Sequence, residues 1–235
     1  MDEAKKTNAI RGKEFIKKYF SGKIIDIGAG EDLVCDQAER FDLEDGDANH
    51  ITKYRKLHTY DTVHSSHCLE HMYEPEKALL EWWKIIKPGG YLVLVVPDED
   101  LYEQGFWPSR FNSDHKATFT INNKKSWSPV SFNIEKLVSS LPNSEIISVE
   151  IQDRWYDYDL QMKPSTQIVN NYPLWYRGIR RINRKIGIEN SFLEKFQNKL
   201  FFTHRIPIDQ TMRDAVAQIQ IVARYSPKNT QPDNT

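Results

Sequence analysis

The chain has 235 residues, 32 Lys and Arg against 33 Asp and Glu, and a formal net charge of −1. That length suits one domain with insertions around a substantial core, and the balanced charge gives no global pull toward nucleic acid or an anionic membrane surface. Two cysteines, Cys35 and Cys68, are too few and too unpatterned for a disulfide framework or a zinc-finger set. No apolar run reaches the length of a membrane span, and none follows the polar first residues as a leader would. A cytosolic chain with no stable membrane insertion is expected.

Residues 4–20 place Ile10, Phe15, Ile16, Tyr19 and Phe20 among lysines at helical spacing, and Ser21-Gly22 ends the pattern. Lys23-Ile24-Ile25-Asp26-Ile27-Gly28-Ala29-Gly30 then reads as a short buried strand running into a tight glycine turn. In open α/β sheets such an edge is where ligands bind, and glycine lets them approach the backbone. A dinucleotide site is a poor fit. The third glycine position of that fingerprint holds Leu33, and Glu31 and Asp32 stand where phosphates belong. Only 16 residues separate Asp26 from Asp42, too few for a full helix and its loops before the strand Arg40-Phe41-Asp42-Leu43. The first helix should be very short or absent. An acidic side chain at the end of that strand can accept both hydroxyls of a ribose, a role open to Asp42 or Glu44.

Tyr60 to Ser66 reads as a third strand. Cys68-Leu69-Glu70-His71 is expected to begin a helix that continues through Ile86 and stops at Lys87-Pro88-Gly89-Gly90. Tyr91 to Pro97 is continuously apolar, the pattern of a central strand buried on both faces. A long polar and aromatic stretch follows, with Tyr102, Trp107, Arg110, Asn112, His115 and Lys116, and should lie over the ligand edge. Arg110 and Lys116 offer donors for an anion. Further helix and strand patterns begin at Phe132 and at Ser144. Trp175, Ile179, Ile182 and Ile186 form a helical stripe backed by Arg177, Arg180, Arg181, Arg184 and Lys185, read as a packed insertion with a solvated basic face. Asp214 to Tyr225 alternates as a final strand, and the polar tail 227–235 should be disordered.

Asp-x-Gly-x-Gly, Tyr-Asp-x-Val, Leu-Glu-His and Lys-Pro-Gly-Gly-Tyr-Leu-x-Leu-x-Val-Pro, in this order over residues 22–97, resemble the motifs of class I S-adenosylmethionine (SAM) methyltransferases. The resemblance implies a doubly wound, Rossmann-like α/β fold with a mostly parallel sheet and an antiparallel last strand. It implies SAM as cofactor, with Asp26, Gly28, Ala29, Gly30, Asp42, Leu43, Asp47, Ala48, Ser65, Ser66 and His67 at the cofactor. One domain over 1–226 is expected, with substrate-side insertions at about 98–130 and 155–210. The Pro-Ser-Arg-x-Asn-x-Asp-His-Lys run, residues 108–116, also resembles a subgroup of bacterial methyltransferases associated with cell-surface polysaccharide.

His67, where a strand meets the ligand edge, or His115, beside Asp114, could take a proton from a hydroxyl acceptor. His71 of Leu-Glu-His is read as structural. His64 and His67 should point to opposite faces of a strand. His67 and His71 are four apart but lack a Glu-x-x-His zinc pattern, so no metal site is expected. The expected function is methyl transfer to an oxygen of a small anionic acceptor, phosphorylated or carbohydrate-like. A nitrogen acceptor and a non-catalytic SAM-binding protein are the alternatives. Nucleic acid is not an expected substrate, since no Asn/Asp-Pro-Pro-Tyr run follows the fourth strand.

Overall fold

The computed structural model describes residues 3–122, 125–186, 192–212 and 214–227, without the side chains of 3, 4, 184–186 and 192. The tail from 228 and the side chains of Arg184, Lys185 and Ile186 therefore lie outside the described part. In chain order the elements are α1 (Glu3–Ile10), α2 (Lys13–Tyr19), β1 (Ile24–Ile27), β2 (Glu39–Phe41), β3 (Tyr60–Ser66), α3 (Pro75–Lys84), β4 (Ile86–Pro97), β5 (Thr118–Thr120), β6 (Ser131–Asn133), α4 (Ile134–Ser139), β7 (Ser144–Gln152), α5 (Leu174–Ile186), α6 (Phe192–Thr203) and β8 (Gln218–Tyr225).

Six strands form one sheet in the order β2-β1-β3-β4-β8-β7. β2, β1, β3 and β4 pair in parallel, and β8 is antiparallel to both of its neighbours. This is the expected doubly wound fold with its reversed last strand. The chain leaves β1 toward β2, then returns to the other side of β1 as β3, which makes a switch point where ligands bind. No helix lies between β1 and β2. Residues 28–38 cross in turns alone, as the short spacing required.

The alternation of Ile24-Ile25-Asp26-Ile27 assigns each face of β1. Ile25 and Ile27 join the larger apolar cluster with Val63, Leu79, Trp82, Leu92 and Ile221. Ile24 joins a second cluster with Tyr19, Phe20, Val93 and Val222. Fully burying one such aliphatic side chain contributes about 1.5–3 kcal/mol. The two tryptophans of α3 satisfy their indole N–H groups on the way in: Trp82 donates to the Ala48 carbonyl at 2.8 Å and Trp83 to the Pro142 carbonyl at 2.9 Å.

Three expectations are corrected. The helix over 4–20 is two helices, parted at Arg11-Gly12, where Gly12 is extended (φ −73°, ψ 159°) and Arg11 turns into the core. The helix expected from Cys68 begins only at Pro75. Leu69–His71 is a single 3-10 turn, and proline forces Glu74 out of helical geometry (φ −131°, ψ 79°). Lys87-Pro88-Gly89-Gly90 does not stop the helix, which ends at Lys84; it is a bulge inside β4. Tyr60 pairs with Ile86 and Thr62 with Tyr91, so residues 87–90 loop out.

The segment after β4 is more structured than a loop. Glu99–Glu103 forms a π-helical turn, and β5 pairs with β6 in a small second sheet. The insertion carrying α5 and α6 closes on itself, with the Tyr176 and Phe201 ring centroids 4.8 Å apart. It backs the 98–116 segment from outside, where Gln104 donates to the Ile208 carbonyl at 2.8 Å.

Asp98 joins β4 to the π-helical turn. Its Oδ1 accepts from the N–H groups of Asp100 and Leu101, each at 3.0 Å. Burial, together with the nearby Asp100 and Glu99, pushes its carboxyl up to about 7. Raising a carboxyl in the folded state means that ionisation opposes folding. The cost is absent below the unfolded value near 4 and is fully present above about 7. Stability should therefore fall across that window by up to roughly 1.4 kcal/mol per pH unit from this group. Asp98→Asn keeps the capping oxygen and removes the charge. Urea unfolding at pH 5 and pH 8 should show the variant gaining on the wild type at the higher pH, and an equal difference at both would count against the assignment.

Candidate active site

A cleft of about 940 Å³ opens beyond the carboxyl ends of β1, β2 and β3 and along α3. Gly28 from β1, and Phe41, Asp42, Leu43, Asp47 and Ala48 from β2 and the chain after it, line one part. His67, Cys68, His71 and Met72 follow from β3, and Asp114 and Lys116 reach in from the long segment after β4.

Gly28 needs to be glycine. Its φ is +76°, and an added Cβ would lie 2.6 Å from both Cβ and Sγ of Cys68. The main-chain N–H of Gly30 donates to Asp42 Oδ2 and that of Leu43 to Oδ1, both at 2.7 Å. Each carboxylate oxygen keeps a further lone pair, so Asp42 is held in place and can still accept from a diol. Asp47 caps the 3-10 segment Ala48–Lys53 by accepting from the Asn49 N–H at 2.9 Å. Hydrogen bonds from His50 and Asn49 hold its carboxyl down at about 2, so it stays ionised through the neutral range.

Asp26 does not line this cleft. Its Oδ2 accepts from the Val34 N–H at 2.7 Å and its Oδ1 from His64 Nδ1 at 2.6 Å. A carboxylate only accepts, so Nδ1 carries the proton and His64 Nε2 faces Arg11 Nη2 at 3.2 Å as an acceptor. Arg11 Nε donates on to Gln220 at 2.7 Å. Desolvation lowers the Arg11 guanidinium to about 10 against the pull of Asp26 and Glu150. Burial likewise drives His64 below its usual range despite Asp26. Asp26 is thus the counter-charge of a buried network that ties α1 to the sheet.

Other expected site residues also sit away from the cleft lining. Ser65 is buried and donates to the Ile27 carbonyl at 3.0 Å. Ser66, Ala29 and Gly30 lie beside the lining residues rather than among them. Arg110 is exposed, and its guanidinium donates to Asn170 at 2.7 Å, on the insertion side. Asn112 Oδ1 accepts from the Asp114 N–H at 3.0 Å and shapes the loop. Tyr102 packs its ring on Phe111 and His115. Trp107 precedes a cis proline in the same segment. The insertion 155–210 supplies none of the cleft-lining residues among those described.

His67 lies where β3 turns, at φ +54°. Its Nε2 donates to Gln218 at 2.9 Å, and its Nδ1 is 3.6 Å from Glu70 Oε1. Glu70 is 1% exposed, and neither carboxylate oxygen has a hydrogen-bond partner. Burial works against its charge, but His67, His115 and His71 around it hold its carboxyl below the usual range. His115 is buried beside Glu103, with Nδ1 to Oε1 at 2.7 Å. Sequence reasoning passed over Glu70 and Glu103. The only available signal was Leu-Glu-His itself, since an acidic residue between apolar and histidine neighbours has no periodicity to mark it.

Residues 6–137 match the family model described as "Methyltransferase domain". The chain belongs to this methyltransferase family. Among solved structures, a SAM-dependent methyltransferase from Archaeoglobus fulgidus is 18% identical, with a TM-score of 0.47 over 95% of this chain and 94% of that one. Phosphoethanolamine N-methyltransferase 2 from Haemonchus contortus, solved with S-adenosyl-L-methionine, is 14% identical, with a TM-score of 0.44 over 96% of this chain and 57% of that one. No curated protein sequence matches the chain. No described helix of this methyltransferase is long and apolar enough to cross a membrane.

Removing Asp26 should act on the fold. Asp26→Ala leaves Arg11 and His64 buried without their counter-charge, at a cost of roughly 3–5 kcal/mol. A denaturation curve checks this, and a variant as stable as the wild type would remove Asp26 from its structural role.

Proposed function

We propose that the cleft binds SAM through Gly28, Asp42 and Asp47 and that the methyl group passes to an oxygen of a small anionic acceptor held near His67 and Lys116. One observation carries the reading. The cleft joins a glycine turn with no room for a Cβ, two anchored carboxylates and a group of histidines at a single sheet edge. SAM is cationic and carries no phosphate, so a rim with Asp42 and Asp47 is compatible with it. The bound cofactor supplies an activated methyl on a sulfonium.

The protein's own residues have three tasks. Asp42 accepts the ribose hydroxyls and so fixes the donor. Alignment of donor and acceptor can supply about 7–11 kcal/mol in favourable cases, so rigid anchoring is the main contribution. Lys116 presents a cation at the cleft, steadied by Asp114 Oδ1 at 3.2 Å and by the Tyr73 ring at 4.8 Å. It binds the acceptor's charge. His67 receives the proton at Nδ1 when the acceptor oxygen is a hydroxyl; Gln218 holds the ring at Nε2, and the Glu70 carboxylate, 3.6 Å from Nδ1, favours the imidazolium that forms. The resemblance of the 108–116 run is what favours a phosphorylated or carbohydrate-type acceptor from surface-polysaccharide synthesis. The charge of Lys116 supports an anionic one.

Asp42→Ala should weaken SAM binding by about 1.5–3 kcal/mol, the loss of a charged hydrogen-bond acceptor. Isothermal titration checks it, and unchanged affinity would move the ribose to Glu44. Saturating SAM should stabilise the wild type in a thermal-shift scan, because a ligand of the native state must do so.

The acceptor prediction separates the two cations. With phosphorylated acceptors, release of S-adenosylhomocysteine should show a raised KM in Lys116→Ala and a nearly unchanged one in Arg110→Ala. The reverse order would place the acceptor on the outer side of the loop. His67→Asn should lower turnover on a hydroxyl acceptor by about 10²–10⁴ while SAM affinity holds.

A further inference from the structure

At the acceptor end of the cleft, three side chains point their lone pairs at one another. His71 Nδ1 lies 2.8 Å from Asp114 Oδ2, and His115 Nδ1 lies 2.7 Å from Glu103 Oε1. Both partners are carboxylates, so each Nδ1 carries the proton and each Nε2 carries the lone pair. The two Nε2 atoms face the same atom, Glu70 Oε1, each at 3.9 Å. The three atoms lie within 4.8 Å of one another. That separation is too long for hydrogen bonds. Glu70 is buried, and no donor comes within normal hydrogen-bond distance of either oxygen, the nearest being His67 Nδ1 at 3.6 Å from Oε1. A buried carboxylate in this state is costly unless a cation completes it.

We propose that Glu70, His71 and His115 form a binding site for one divalent transition-metal ion of the zinc class. Two imidazoles and one carboxylate suit Zn²⁺ and its first-row neighbours rather than Mg²⁺ or Ca²⁺, which prefer all-oxygen sets. Tetrahedral ligation at about 2.1 Å puts neighbouring ligand atoms roughly 3.4 Å apart, so each carboxylate–imidazole edge has to close by only about half an ångström. Asp114 and Glu103 are the outer partners that metal-bound histidines almost always have, fixing tautomer and ring orientation.

The proposal departs from the expectation of no metal site, which rested on the opposite faces of His64 and His67 and on the lack of a Glu-x-x-His pattern around His67 and His71. The second imidazole comes from His115, brought in because the Lys116 and Ala117 N–H groups both donate to the Glu70 carbonyl, at 2.8 and 3.2 Å. Three protein ligands leave a coordination position open, as in sites that bind a reactant. His71 borders the cleft, and so does Lys116. The open position is therefore placed for an oxygen of the anionic acceptor, a role that rests on the methyl-transfer reading. The ion binding itself does not.

The test uses the full chain, stripped of metal by a chelator and then titrated with ZnCl2 and, separately, CoCl2. The wild type should take up one equivalent of Zn²⁺ and give the visible absorption of low-symmetry Co²⁺ with nitrogen and oxygen ligands. Glu70→Gln and His115→Asn should lose stoichiometric uptake. Glu103→Gln, which alters only an outer partner, should bind about 10–100-fold more weakly. His204→Ala, an exposed histidine elsewhere, should bind as the wild type does. Wild-type protein with no stoichiometric uptake and no such spectrum overturns the site, whatever the variants do, and so does undiminished binding by Glu70→Gln and His115→Asn. Thermal shift with SAM on the same samples separates the two readings. Stabilisation by SAM without metal uptake ends the metal site alone. Metal uptake without stabilisation by SAM keeps the site and removes its role toward the acceptor.

Discussion

The carboxylate of Asp26 is the contact on which the rest of the sheet edge depends. It sits between the first and third strands, 1% exposed, and is bonded on one oxygen to the Val34 N–H and on the other to His64. The first bond holds the helix-free crossover 28–38 against the sheet and so fixes where Gly28 and Gly30 turn. The second holds His64, which passes the constraint to Arg11 and through it to Gln220 on β8. One buried charge therefore locks the N-terminal helices, the glycine turn and the reversed strand together. Such a group is expensive to bury and more expensive to leave unpaired, which is why the network is closed at every member.

The opposite end of the cleft is arranged differently. There the buried carboxylate, Glu70, has no hydrogen-bond donor, and its three histidine neighbours stand at 3.6–3.9 Å. The main-chain carbonyl of the same residue accepts from the N–H groups of both Lys116 and Ala117. The main chain is thus clamped while the side chains hold an incomplete polar set. Completed networks stabilise folds, and incomplete ones at a cleft mark chemistry. The left-handed backbone at His67 falls on the same turn, where strain is tolerated because the β3 and β4 pairing on one side and the clamp on the other over-determine it.

The long segment after β4 owes its order to this clamp and to the insertion behind it. Glu99 accepts from Thr118 and Ser126, and Gln104 reaches the Ile208 carbonyl. These bonds turn a stretch without periodicity into a fixed wall that presents Asp114 and Lys116 to the cleft and turns Arg110 away from it.

Most of the sheet was legible in the sequence because its signals are local. A run such as Tyr91–Pro97 must be buried on both faces, 16 residues cannot hold a full crossover helix, and Gly28 ends a strand where a side chain has no room. Membership of a methyltransferase family was legible for the same reason, since its motifs are contiguous. Asp42, Asp47 and Lys116 were assigned to the ligand edge and do line the cleft. What the sequence could not decide is which polar side chain turns inward. Asp26 and Asp42 each close a strand, yet one is committed to His64 and the other faces the cleft, a difference set by the helix packed over β1. Arg110 and Lys116 are equally basic, and only the loop's path separates them. Glu70 and His115 are 45 positions apart in the chain, and their meeting depends on two backbone hydrogen bonds that no residue pattern announces. Local propensity reads periodicity along the chain. The convergence of lone pairs on one point is a property of tertiary contact, and only the folded structure contains it.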